Sequence, residues 1–168
     1  MGQAALYDED IHAWSQHQAR VLRARAGAGA RLPNDLDPEH VAEEIEDLGK
    51  EQRFQVESNL GQALDHRIKV VALPQDQAAR HGIEEADAFP TDAARRCRPS
   101  MRRVIAPARI LAWARRDAAA DLEFDGHAMP PPPADLPFGI EELVGETADA
   151  RALAARLAAR LGPPLPSA

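Results

Sequence analysis

No proline occurs between Pro38 and Pro74. Proline stops helices because it lacks the backbone N–H and clashes with the preceding turn. A helix can therefore run through this stretch without interruption. Its start is well marked. Asp37 suits an N-cap, Pro38 the first helical position, and Glu39 the positive end of the helix dipole. Val41, Ile45, Leu48, Val56, Leu60, Ala63 and Leu64 fall at helical spacing and are expected to form the buried stripe. The spacing predicts a single helix over 38–72. Gly49 and Gly61 are costly inside it, at about 1 kcal/mol each relative to alanine, and are expected where a neighbouring helix comes close or the helix bends slightly.

A polar column runs along the same helix. Gln52, Asn59 and His66 recur every seven residues, in line with Ile45 before them and Leu73 after. At about 100° per residue, with Val41 at zero, Ile45 falls near about 40°, Gln52 about 20°, Asn59 about 0° and His66 about −20°. That places them inside the predicted apolar stripe. A buried polar group without a partner costs about 1–3 kcal/mol. The column therefore predicts a satisfied core network, a protein interface whose polar residues fix register, or a pocket around His66. Lys69, one turn beyond His66, is either an anion contact of such a pocket or a solvated lysine.

The flanking segments also read as helix. Asp8 is the predicted cap of a helix over about 8–25, with Ile11, Trp14, Gln18, Val21 and Leu22 on one face. A weaker helix is expected over 74–89. Thr91 and Ser100 are expected to cap two short helices, and Pro107 to open another. The run 125–137 is a proline-stiffened loop, followed by a short helix in FGIEELVGE. Leu153, Leu157 and Leu161 line a last helix before a proline-rich tail. There is no internal repeat and no stretch that reads as a strand.

Composition narrows the function classes. The formal net charge is −7, which argues against nucleic acid as the general partner. Cys97 is the sole cysteine, so an intrachain disulfide is impossible and a reducing, cytoplasmic compartment is expected. No apolar run reaches the roughly 18 residues that span a membrane. Catalytic templates are missing: there is no G-x-S-x-G, no phosphate-cradling glycine loop, no H-E-x-x-H and no C-x-x-C. EDIH, from Glu9 to His12, has the E-x-x-H form of carboxylate-bridged metal sites, and DPEH, from Asp37 to His40, is a loose variant. A second full motif and the matching glutamates are absent, so His40, Glu43, Glu44, Asp47 and Glu51 read as a solvated acidic face. No metal, cofactor or catalytic residue is expected. From Arg95 to Arg116 there are eight arginines and no acid. Arg95, Arg96, Arg98, Arg102 and Arg103 are the candidate anion patch, with a nucleic-acid-associated role as one outcome.

Several pieces of the sequence resemble a known family. They are Tyr7-Asp8-Glu9-Asp10, Ala13-Trp14, Glu43-Glu44-Ile45-Glu46 with Leu48-Gly49, Glu57-Ser58, His66 with Lys69, and a late LPFGIEEL. Together they resemble the bacterial domain-of-unknown-function family 29 over roughly residues 6–144. The resemblance implies an α-helical protein and carries no known activity. The family tends to follow the lysine with tryptophan, where this chain has Val70, and 74–106 matches poorly.

The expectation is thus an all-α bundle with two longer helices, about 8–25 and 38–72. A single domain over 1–145 is expected, with a leucine helix and proline-rich tail over 146–168 packed on it or on a partner. The leading functional expectation is a non-enzymatic cytoplasmic protein–protein interaction module or small homo-oligomer. The alternatives are a small enzyme or ligand binder around His66, and a nucleic-acid-associated factor.

Overall fold

The computed structural model describes residues 3–73, 76, 88–133, 138–144, 155–157 and 159–160. Among them the protein is all-α, with no strand. The helices are α1 (Gln3–Glu9), α2 (Ile11–Gly27), α3 (Pro38–Ala72), α4 (Ala88–Arg96), α5 (Pro99–Arg102), α6 (Pro107–Phe124) and α7 (Ile140–Val144). The expected helix over 74–89 lies almost wholly outside the described residues. Of the leucine helix, residues 155–157 and 159–160 are helical and Leu157 is buried, while Leu153 and Leu161 lie outside them.

The long helix forms over the predicted range, about 50 Å at 1.5 Å per residue. Asp37 caps it as expected: its Oδ1 accepts from the backbone N–H of Glu39 and of His40, each at 3.2 Å. Other boundaries differ from the sequence reading. The first helical region is two helices, and the cap of α2 is Asp10 rather than Asp8. Asp10 Oδ1 accepts from the Ala13 N–H at 2.9 Å. Thr91 lies inside α4, which starts at Ala88 and keeps Pro90 within its first turn, where a missing N–H breaks no helical bond. Ser100 lies inside α5, where Pro99 takes the first position, and its hydroxyl serves Asp10 instead.

The chain groups into two compact units, each treated by itself. One comprises Met1–Gln55 with Cys97–Val104, the other Val56–Arg96 with Ile105–Ala168. Along α3 the buried line is Ala42, Gly49, Val56 and Ala63, one every seven residues.

The second unit has a conventional apolar core. Val56, Leu60, Leu64 and Ile68 of α3 are buried, as are Ile110, Leu111, Ala114, Ala118 and Leu122 of α6. Ile110, Ala114, Ala118 and Leu122 recur every fourth residue, with Leu111 beside them, as a one-sided helix requires. Phe138, Leu143 and Val144 add to it, each about 1.5–3 kcal/mol more favourable inside than exposed. Arg67 is buried as well, and its guanidinium donates to the Ala63 carbonyl at 2.6 Å. The predicted proline loop is non-helical over 127–133, and its Pro130 carbonyl accepts from Arg115 at 2.8 Å.

The first unit is built differently. Its buried residues on α2 are His12, Ser15 and Ala19, and on α3 Ala42 and Gly49. The expected inner face of α2 is displaced: Ile11, Trp14, Gln18 and Leu22 are half-buried, and Val21 is exposed. Tyr7 meets Trp14 edge-on at 4.8 Å. Among the described residues, no helix is long and apolar enough to cross a membrane.

Candidate functional site

Small side chains set the geometry of the first unit. A Cβ placed on Gly49 would sit 3.2 Å from His12 Cα and fall inside the contact distance of Ser15 Oγ. Only glycine lets the α3 backbone come this close to α2. Arg23 of α2 then ties the pair along its edge, reaching Glu39 at 2.7 Å and Glu46 at 2.6 Å. With Ala42 and Gly49 turned toward α2, the larger apolar residues of the same helix segment point elsewhere. Val41 and Leu48, expected in the core, are 36% and 52% exposed, and Ile45 is half-buried. Together with His40 and Glu44 they line an open groove of about 310 Å³.

Carboxylates border this strip. Glu43, Glu44, Asp47 and Glu51 are exposed, in agreement with the solvated acidic face read from the sequence. Lys50 is engaged by Asp47 at 2.7 Å. His40 pairs with Asp37 at 2.5 Å, and that hydrogen bond is the main cause of its raised pKa.

A buried polar cluster lies at the start of α2. Asp10 Oδ2 accepts from the Ser100 backbone N–H at 3.0 Å, and Oδ1 from the Ser100 hydroxyl at 2.7 Å. Since that hydroxyl gives its proton to the carboxylate, His12 Nδ1, 2.9 Å away, is the donor to Ser100 Oγ. The arrangement is a clamp between the first turns of α2 and α5, not an activated serine: the imidazole donates where a general base would accept. Burial alone would raise the Asp10 pKa, but the hydroxyl and two backbone donors, with His12, outweigh it and the net shift is downward. Burial lowers the His12 pKa; Asp10 opposes this and Arg53 reinforces it. The sequence reading missed the cluster. Its members are 88 and 90 residues apart, and the sole local signal was an aspartate three residues before Ala13.

The polar column lies beside the buried line rather than on it. Gln52 in the first unit and Asn59 and His66 in the second are all half-buried. The His66 ring stacks on Phe89 with centroids 6.1 Å apart. Lys69 donates to Asp65 at 2.8 Å and to Asp121, so its ammonium already holds two carboxylates. Burial alone would lower the Lys69 pKa, but these two bonds leave it raised, and burial likewise raises Asp65 despite the lysine. At Gly61, unlike Gly49, a Cβ would meet nothing within 4 Å, so no close neighbour explains this glycine.

The candidate anion-patch arginines are divided between the two units. Arg95 and Arg96 are exposed at the end of α4 in the second unit; Arg98, Arg102 and Arg103 belong to the first. Further along, Arg109 holds Glu57 at 2.7 Å and lies over the Trp113 ring, and Arg116 meets Asp117 at 3.2 Å.

The domain of unknown function DUF29 matches residues 6–147. The chain belongs to this family. A solved protein of similar structure is an alpha-helical protein of unknown function from Rhodospirillum rubrum, at 29% identity and a TM-score of 0.79, covering 90% of this chain and 96% of that one. Compared with curated proteins, the chain matches none. The family assignment brings the helical fold and no activity.

Proposed function

We propose that this DUF29 protein is a non-enzymatic, bacterial and cytoplasmic protein–protein interaction module whose docking surface is the outer face of the N-terminal half of α3. The observation that carries this reading is the open line of Val41, Ile45 and Leu48. Apolar residues at i, i+4 and i+7 on one helix face are the form in which a partner helix is held. Two of the three are exposed although the same chain buries comparable leucines in its other unit. The buried thiol of Cys97, the sole cysteine of the chain and so in no intrachain disulfide, suits a reducing compartment.

The test is site-specific photo-crosslinking of the full chain in bacterial cells. A benzoylphenylalanine at position 41 should give a discrete protein adduct, and one at the exposed Glu123 should not. Adding Leu48→Asp should remove the adduct from position 41. Equal labelling from both positions, or an adduct indifferent to Leu48→Asp, would defeat the reading.

A further inference from the structure

The geometry points to the occupant of this strip: we infer that it is a basic amphipathic helix of a different protein, not a second copy of this chain. The inference rests on the docking surface proposed above and adds the chemistry of the partner.

The charge around the strip is one-sided. Between Asp37 and Arg53 there are seven acids (37, 39, 43, 44, 46, 47 and 51) against Lys50 and Arg53, a formal balance of 2 − 7 = −5. Position on the helix decides which of them a docked partner meets. With Val41 at zero, Ile45 lies at about 40° and Leu48 at about −20°. Glu44 and Glu51 lie at about −60° and −80°, forming one rim, and Ala42 and Gly49 at about 100° and 80° form the other. The second rim is taken up by α2, as the approach of Gly49 to Ser15 requires. The rim left open is acidic, and both of its glutamates are exposed.

Self-pairing of the strip conflicts with this pattern. In an antiparallel pair of identical helices like edges face each other, so the Glu44 and Glu51 row would meet its own copy. In a parallel pair each edge faces the opposite edge, and the acidic row would have to lie where α2 already packs. A partner helix with an apolar line and Lys or Arg along one edge satisfies both constraints. It fills the groove beside Leu48 and neutralises the exposed carboxylates of Glu44 and Glu51 on the open side of the strip.

The experiment uses a fluorescein-labelled synthetic helical peptide with leucines at i, i+4, i+7 and i+11 and lysines along one edge. A matched peptide carries glutamates in place of the lysines. Anisotropy with the full-length protein should show binding of the basic peptide alone, weakening as NaCl is raised. Glu44→Lys with Glu51→Lys should weaken it by about tenfold or more. Leu48→Asp should abolish it. Glu43→Lys, on the far side of the helix, should leave it unchanged, which separates a directed rim from general attraction to an acidic protein. Equal binding of both peptides, equal loss with Glu43→Lys, or no binding of the basic peptide would overturn the inference. So would sedimentation showing a dimer that Leu48→Asp dissociates. If the position 41 adduct persists while the basic peptide fails to bind, the docking surface stands and the partner chemistry falls. Absence of the position 41 adduct when Leu48 is intact removes the docking surface.

Discussion

Gly49 of α3 lies so close to Ser15 of α2 that no side chain fits between them. Alanine at position 49 gains about 1 kcal/mol in helix propensity, but must push the two helices apart. The expected net result of Gly49→Ala is a loss of about 1–3 kcal/mol in denaturant unfolding. Combining it with Ser15→Ala should recover part of the loss, since the serine oxygen is the nearest obstacle. Gly61→Ala should instead stabilise by about 0.5–1 kcal/mol, because its Cβ meets nothing within 4 Å. A stabilising Gly49→Ala would contradict the close approach.

Leu48 and Leu64 carry the same side chain on the same helix and should respond oppositely. Leu64 is fully buried, so Leu64→Ala should cost about 2–5 kcal/mol. Leu48 is 52% exposed, and Leu48→Gln should change stability by no more than about 0.5 kcal/mol. Thermal melts of the two variants side by side check this. A large loss at position 48 would mean that the strip belongs to the core.

The clamp around Asp10 predicts the sign of the acid response. Burial holds the His12 pKa below its unfolded value of about 6.5. The unfolded chain therefore takes up the proton first, and this contribution to stability falls as the pH drops below about 6.5, by at most about 1.4 kcal/mol per pH unit. For Asp10 the hydrogen bonds outweigh burial and lower the pKa. Its contribution is complete above about 4 and fades as the pH falls through the folded value. His12→Asn should flatten the decline of Tm between pH 7 and 5, and Asp10→Asn the decline below about pH 4. The raised pKa of exposed His40 acts with the opposite sign, favouring the fold at lower pH, so the comparison is made in high salt to screen it. An unchanged slope in His12→Asn would remove His12 from the response.

Glu57 is 1% exposed as a side chain, and Arg109 reaches it at 2.7 Å while lying over Trp113. Arg109→Ala should cost about 2 kcal/mol, the scale for a lost charged hydrogen bond to a buried group, and should alter Trp113 fluorescence. Glu57→Gln, which keeps a hydrogen-bond acceptor, should cost less than Arg109→Ala. The reverse order, measured by urea unfolding, would show that the carboxylate is held mainly by other groups.

Much of this was legible in the residues. Asp37 and Pro38 opened α3 where predicted, Pro107 opened α6, and the prolines after Asp125 kept the loop from becoming helix. These are local effects, written in propensity and capping. The face that each helix buries in the first unit was not legible. The expectation that the largest apolar residues face inward holds for Leu60 and Leu64. It fails for Val41 and Leu48, because a glycine-centred contact rewards small residues and turns the larger ones outward. The partner of Asp10 was hidden for a different reason: Ser100 is 90 residues away, and nothing local distinguishes a serine that caps its own helix from one that serves another.

The start and length of α3, the start of α6 and the acidic character of the α3 surface could be read from the residues alone. Each follows from neighbours within a few turns. The rotation of α3 about its axis had to come from packing. That rotation depends on how near a second helix can come, and the space at Gly49 fixes it. It left Val41, Ile45 and Leu48 open beside Glu44, and so turned an apparent piece of core into the proposed docking surface.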